Sequence, residues 1–285
     1  MALKQIISNL LNFLSKGFYF MTKNVSKDFD RYEYYQRAVQ SPDSDAAFLQ
    51  KIYREINEQP AKHMREDFCA AFALCCEWVK LDDTNIATGV DLDPEPVAYG
   101  REHYLSQLSD EQQKRITVLE ANVLSTELPK ADIICALNFS YFGFKKRSLL
   151  LNYFKSCYET LDKGGVLVLD NFGGSDCMEP NEHETEHDDF SYYWDQDSFH
   201  PLTNEAMFYI HFKRKGEAKR EKVFTYDWRL WSIPEIKDLL SEAGFRETHI
   251  YWEGTDEDGD GNGEFERTTE GEICEAYVAY IVGCK

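Results

Sequence analysis

Apolar positions follow two alternating rhythms along most of the chain. Short apolar runs at 63–68, 86–91, 116–119, 132–137 and 165–170 predict strands, and helix-spaced segments at 70–80, 94–108 and 146–161 lie between them. Strand, helix, strand, repeated in this way, predicts a Rossmann-like doubly wound α/β fold whose sheet is mostly parallel. Ahead of it, Phe48, Leu49, Ile52, Tyr53 and Ile56 share one face of a predicted N-terminal helical cap, residues 28–60, which Pro60 closes. After residue 171 the rhythm breaks. An acidic loop (175–190), an aromatic stretch (190–199) and a strand pair near 206–212 and 221–227 form a β-rich insertion, residues 172–228. An insertion on the carboxyl side of a strand is placed to cover a ligand site. A helix at 233–243 then opens with Ser232 and Glu235 and stops at Gly244. Strands at 246–253 and 274–282 follow, giving one late antiparallel strand. Residues 1–27 are an amphipathic extension, too often interrupted by polar residues for a membrane span. The remainder, 28–285, reads as a single domain.

Composition narrows the partners. The chain has 285 residues, and 51 acidic against 31 basic side chains give a formal charge of −20. Such a surface repels phosphate backbones, so a nucleic-acid partner is not expected. The basic run from Lys213 to Lys222 reads as a strand pair and its turn. Cysteines 69, 75, 76, 135, 157, 177, 274 and 284 show no C-x-x-C spacing and mostly sit in apolar runs. They read as buried thiols of a cytoplasmic protein, and no metal site is expected. Two motifs test that expectation. His183-Glu-Thr-Glu-His187 matches H-E-x-x-H, but no apolar stripe accompanies it to bury a zinc-bearing helix. Asp256 to Gly261 matches the first half of a calcium loop, but Arg267 occupies the twelfth position and the flanks read as strands.

In open parallel sheets ligands lie beyond the carboxyl ends of the strands, so the strand ends carry the candidate chemistry. The second strand ends at Asp91, suited to a ribose or to capping the next helix, a role for which Asp93 before Pro94 is better placed. The third leads to Asn122 and Val123, suited to adenine or to a turn. The fourth gives way to Asn138-Phe-Ser-Tyr141.

Glu66-Asp-Phe-Cys-Ala-Ala71, Gly89-Val-Asp-Leu-Asp93, Asn122, Asn138 to Tyr141, Leu161 to Asp170, Arg229 to Ser232 and Glu242 to Phe245 together resemble the class I S-adenosylmethionine-dependent methyltransferases. The stretch Arg65 to Ala71 is similar to the R-E-D-F-C-G-T motif of an uncharacterised branch. The resemblance implies S-adenosyl-L-methionine as cofactor and no metal. It implies Glu66 near the methionine ammonium, Cys69 and Ala70 in the turn passing the cofactor, Asp91 at the ribose, Asn122 and Val123 at the adenine, and Arg65, Leu92 and Asn138 among the other cofactor-binding residues. Asn138 and Tyr141 would face the methyl group as catalytic residues, retaining the ends of an N-P-P-Y motif that suggests an amine acceptor. Tyr32, Tyr35 and Trp194 are candidate walls of a pocket for a small-molecule or protein acceptor. The first turn departs from the family: Phe68, Ala70, Ala71 and Phe72 stand where glycines are usual, and any of them with positive φ is strained. An inactive, methyltransferase-like scaffold is therefore the rival function. A dehydrogenase is disfavoured because no G-x-G-x-x-G turn is present.

Overall fold

The computed structural model describes residues 28–256 and 261–285. The amphipathic extension, and Asp258 and Asp260 of the calcium-like loop, lie outside them. Helix α1 (Arg31–Val39) starts where the Asp30 carboxylate accepts the Tyr32 and Glu33 amides at 3.0 and 3.1 Å, and α2 is Pro42–Asn57. Then come β1 (His63–Asp67), α3 (Ala73–Leu81), β2 (Ile86–Asp91), α4 (Pro94–His103), α5 (Asp110–Gln113), β3 (Ile116–Glu120) and β4 (Ala131–Ala136). They are followed by α6 (Arg147–Thr160), β5 (Leu161–Gly173), β6 (Asn181–Glu186), β7 (Phe190–His200), β8 (Glu205–Arg214) and β9 (Arg220–Arg229). Helix α7 (Ile233–Ala243), β10 (Glu247–Thr255), β11 (Gly261–Thr268) and β12 (Tyr277–Cys284) complete the chain.

The larger sheet has the order β11-β10-β12-β5-β4-β1-β2-β3 and the smaller β6-β7-β8-β9. β1 pairs in parallel with β2 and β4, β2 with β3, and β4 with β5, whereas the smaller sheet is antiparallel throughout. The strand order reverses between β1 and β4. That switch point is where a doubly wound sheet opens a ligand crevice at its carboxyl edge.

The chain forms two compact units. One comprises residues up to Ser41, Asn171–Ser232 and Tyr251–Ala279; the other comprises Pro42–Asp170, Ile233–Ile250 and Tyr280–Lys285. The residues expected to form one helical cap thus divide after Ser41.

The second unit holds the parallel strands. Ile133 to Ala136 and Val166 to Leu169 are fully buried, as both faces of a helix-covered parallel sheet require. Helix α7 ends in a turn where Gly244 takes φ +111° and the Phe245 amide reaches back to the Leu240 carbonyl at 3.1 Å. Asp132 ties the start of β1, accepting the Lys62 and His63 amides at 2.8 and 2.9 Å.

The first unit is built on aromatic packing. Phe190, Tyr192 and Trp194 of β7, Phe208 and Phe212 of β8 and Trp228 of β9 are buried, and Tyr34 of α1 meets Phe190 edge-on at 4.9 Å. The basic run lies on β8, β9 and their turn, where local acids answer it: Glu217 pairs with Arg214 and Arg220, and Glu182 with Lys219.

The structure corrects two connections. Residues 175–190, read as a loop, contain a short 3-10 turn, Ser175–Met178, and β6. Polar residues on both faces gave β6 no hydrophobic signal, and its ladder with β7 supplies the order instead. The acidic connection after β10 likewise contains β11, beside β10 in the larger sheet. His183 to Glu186 of the H-E-x-x-H motif therefore lie on a strand, with His187 just beyond its end, and not on the helix its zinc chemistry needs.

Candidate active site at the strand ends

The turn after β1 is strained in the way its composition predicts. Phe68, Ala70 and Phe72 have φ of 60, 44 and 46°, each a left-handed conformation that costs a side-chain-bearing residue about 1–2 kcal/mol. Hydrogen bonds hold it: the Cys69 amide donates to the Val90 carbonyl at 3.1 Å, and the Ala70 amide to Asp91 Oδ2 at 2.8 Å. The missing glycines reappear on the neighbours. A Cβ on Gly89 of β2 would lie 2.8 Å from Cys69 Sγ, and one on Gly100 of α4 would lie 2.2 Å from the Ala71 carbonyl oxygen and 2.6 Å from Phe72 Cε1. The bulk has moved into the loop and the space into its surroundings. Packing takes up both rings: Phe72 is fully buried, and Phe68 lies edge-on to Phe144 and Tyr153, each at 5.7 Å.

Arg65 is wholly buried. Its guanidinium grips Asp67 through two bonds of 2.9 and 3.1 Å and donates to Thr160 Oγ1 at 2.8 Å, while the Tyr153 hydroxyl donates to Asp67 Oδ2 at 3.0 Å. Glu66 is buried and accepts the Cys75 thiol at 3.1 Å; burial pushes its carboxyl up to about 8. Asp91 is half-buried and splits its carboxylate, one oxygen on the Ala70 amide and the other on the Asp93 amide at 2.8 Å. Asp93 caps α4, accepting the Glu95 amide at 2.9 Å. Leu92 is exposed, Asn122 is exposed and accepts the Leu124 amide at 2.9 Å, and Val123 is buried.

At the end of β4, Asn138 and Phe139 take φ of 55 and 57°. The buried Asp170 of β5 accepts both their amides, at 2.6 and 2.9 Å. Tyr141 is wholly buried, with Phe142 at 5.0 Å and Phe154 at 6.4 Å. The Asn138 side-chain amide makes no hydrogen bond among the described residues. Sequence reasoning named Asn138 as a site residue but quoted Asp170 only as the end of the Leu161 to Asp170 run, without a role; an acid at the end of that apolar run was the available signal.

Tyr32, Tyr35 and Trp194 belong to the first unit. Arg31 donates to the Tyr32 hydroxyl at 2.8 Å, Tyr35 packs on Phe224 at 4.9 Å, and Trp194 is buried against Phe208 at 5.1 Å. Glu182, Asp195 and His211 also converge there, with potential ligand atoms within 4.8 Å of one another. The Lys222 amide donates to His211 Nδ1 at 2.7 Å, so in the neutral ring the proton sits on Nε2, 3.0 Å from Asp195. That proton occupies the lone pair a metal would need.

No protein-family model matches the sequence, and no curated protein matches it. Solved structures do. An S-adenosylmethionine-dependent methyltransferase from Clostridium acetobutylicum ATCC 824 is 18% identical with a TM-score of 0.63, over 88% of this chain and 96% of that one. CalS10, an amino pentose methyltransferase from Micromonospora echinaspora solved with its cofactor bound, is 13% identical with a TM-score of 0.61, over 90 and 99%. KedS8, a sugar N-methyltransferase from Streptoalloteichus sp ATCC 53650, is 16% identical with a TM-score of 0.59, over 94 and 98%. The fold of this chain is that of the class I S-adenosylmethionine-dependent methyltransferases.

Proposed function

We propose that the protein is an S-adenosylmethionine-dependent methyltransferase acting on an amine of a small molecule. The observation that carries this reading is the set of strand-end groups on this fold: Glu66, Asp91 and an Asn138 side-chain amide that makes no hydrogen bond among the described residues. Similar structures described as sugar and amino pentose methyltransferases support the acceptor class.

The cofactor supplies a methyl group already activated on a sulfonium, leaving alignment, exclusion of water and proton removal to the protein. Glu66 is suited to the amino-acid ammonium. Its raised carboxyl becomes an anion when a cation approaches, so binding below about pH 8 releases a proton. Asp91 keeps acceptor capacity on both oxygens for the ribose hydroxyls, and its hydrogen bond to Ala70 ties the cofactor turn to that contact. Arg65 ties the end of β1 to α6, pairing with Asp67 within the strand and donating to Thr160 across from it, and Cys69 with Ala70 supplies the turn's backbone. Asn122, Val123 and Leu92 would border the adenine. The Asn138 amide oxygen would accept an N–H of the acceptor and aim its lone pair at the methyl carbon. Tyr141 would anchor that loop from the core.

Calorimetric titration with S-adenosylmethionine and S-adenosylhomocysteine tests the reading. Saturable micromolar binding is expected, weakened at least tenfold by Asp91→Asn, about 1.4 kcal/mol. The asparagine retains one acceptor for the turn, so a matched melting temperature separates lost binding from lost fold. Well-folded protein that binds neither nucleoside would return the fold to the scaffold role.

A further inference from the structure

At the carboxyl end of β4, two successive side-chain-bearing residues, Asn138 and Phe139, both hold positive φ. Consecutive left-handed residues are rare without glycine, because each brings its Cβ against a carbonyl oxygen. The chain beyond them is fixed: Ser140 Oγ donates to the Leu137 carbonyl at 2.6 Å, the Phe142 amide to the Phe139 carbonyl at 2.9 Å, and Tyr141 is buried. Both backbone amides of the strained pair are held by the carboxylate of Asp170, each oxygen of which takes one of them. Such charge-assisted bonds to both oxygens need the ionised form, since a protonated carboxyl has one oxygen committed as a donor.

We propose that Asp170 is a positioning residue for methyl transfer, its carboxylate locking Asn138 and Phe139 in the left-handed conformation that presents the Asn138 amide. This rests on the methyltransferase reading and adds to it a residue that touches neither cofactor nor acceptor. It also gives the site a pH dependence. Burial pushes the Asp170 carboxyl up to about 7 against the lowering effect of the two amides, and the Asp45 carboxyl on α2 adds to the rise. Asp45 is itself raised to about 7 by burial, with the Tyr280 hydroxyl donating to it at 3.4 Å, and the Cys135 thiol of β4 stays neutral. The lock is complete above this range and loosens as pH falls through it.

The test follows the backbone amides of Asn138 and Phe139 by NMR in 15N-labelled full-length protein from pH 5.5 to 9. Both resonances should move together with one midpoint near 7. In Asp170→Asn that shared titration should vanish, and because wild type alone shows the midpoint, a variant that fails to fold does not rescue the idea. Adding cofactor 13C-labelled at its methyl group supplies the second readout. The bound methyl resonance should follow the same midpoint in wild type and be flat in Asp170→Asn, while cofactor affinity at pH 8.5 changes less than threefold. Amides that titrate separately, or a bound methyl resonance indifferent to the substitution, overturn the proposal while leaving cofactor binding intact. Amides that titrate as expected in a protein that binds no cofactor overturn the methyltransferase reading, and with it this role for Asp170.

Discussion

Three left-handed residues in the first turn store strain that glycine would relieve. Ala70 is the cleanest test, because its substitution changes only a methyl group. Relief of about 1–2 kcal/mol of steric cost, less about 0.5–1 for glycine's larger unfolded-state entropy, leaves Ala70→Gly more stable by up to about 1.5 kcal/mol. Urea denaturation measures it, and a loss of stability would show that the turn is held without strain. Gly100→Ala should act oppositely. Its Cβ would strike the Ala71 carbonyl oxygen, a backbone atom that cannot swing aside. Overpacking of this kind costs about 1–3 kcal/mol, and the upper end is expected here. Differential scanning calorimetry of that variant gives the size.

Elements were legible in the sequence where one signal fixed their ends. Helix α7 and strand β2 occupy the residues that Ser232, Gly244 and the Ile86 to Asp91 run predicted. Strand β6 was not legible, because Asn-Glu-His-Glu-Thr-Glu offers no apolar face and becomes a strand only through its partner. Helix α4 stops at His103 rather than 108, where the chain tightens into a 3-10 turn, Leu105–Gln107. Of the candidate site, the residues that end strands could be named in advance. Their mutual bonds could not: nothing near Asn138 in the sequence points to Asp170, 32 residues away. The buried Arg65–Asp67 pair is similar, legible as a motif and not as an ion pair. Arg65→Met would leave Asp67 buried without its cation, at a cost of about 3–5 kcal/mol. A double variant with Asp67→Leu should recover part of that loss in chemical denaturation, and failure to recover any would assign the cost to packing.

At the scale of the whole molecule, buried and half-buried acids set an unusual response to pH. Asp45 and Asp170 are raised from 3.8 to about 7, Glu66 from 4.5 to about 8 and Glu253 from 4.5 to about 7, desolvation being the main cause in each. The folded state thus holds protons that the unfolded chain releases above about pH 4. Stability from these groups is fully present below that value and is lost as pH rises through 7 to 8. The melting temperature of cofactor-free protein should therefore fall between pH 5.5 and 8.5 at constant high salt, and Glu66→Gln should flatten the slope. A melting temperature that rises over this interval contradicts the assignment. The cysteines lead to a different use of the same interior. Of the eight thiols only Cys274 is exposed; Cys177 is buried in the first unit, and Cys69, Cys75, Cys76, Cys135, Cys157 and Cys284 are buried in the second. The molecule thereby carries its own opening clock: timed alkylation read by mass should tag Cys274 at once, and the order in which Cys177 and the other six follow would time each unit's excursions without an added probe.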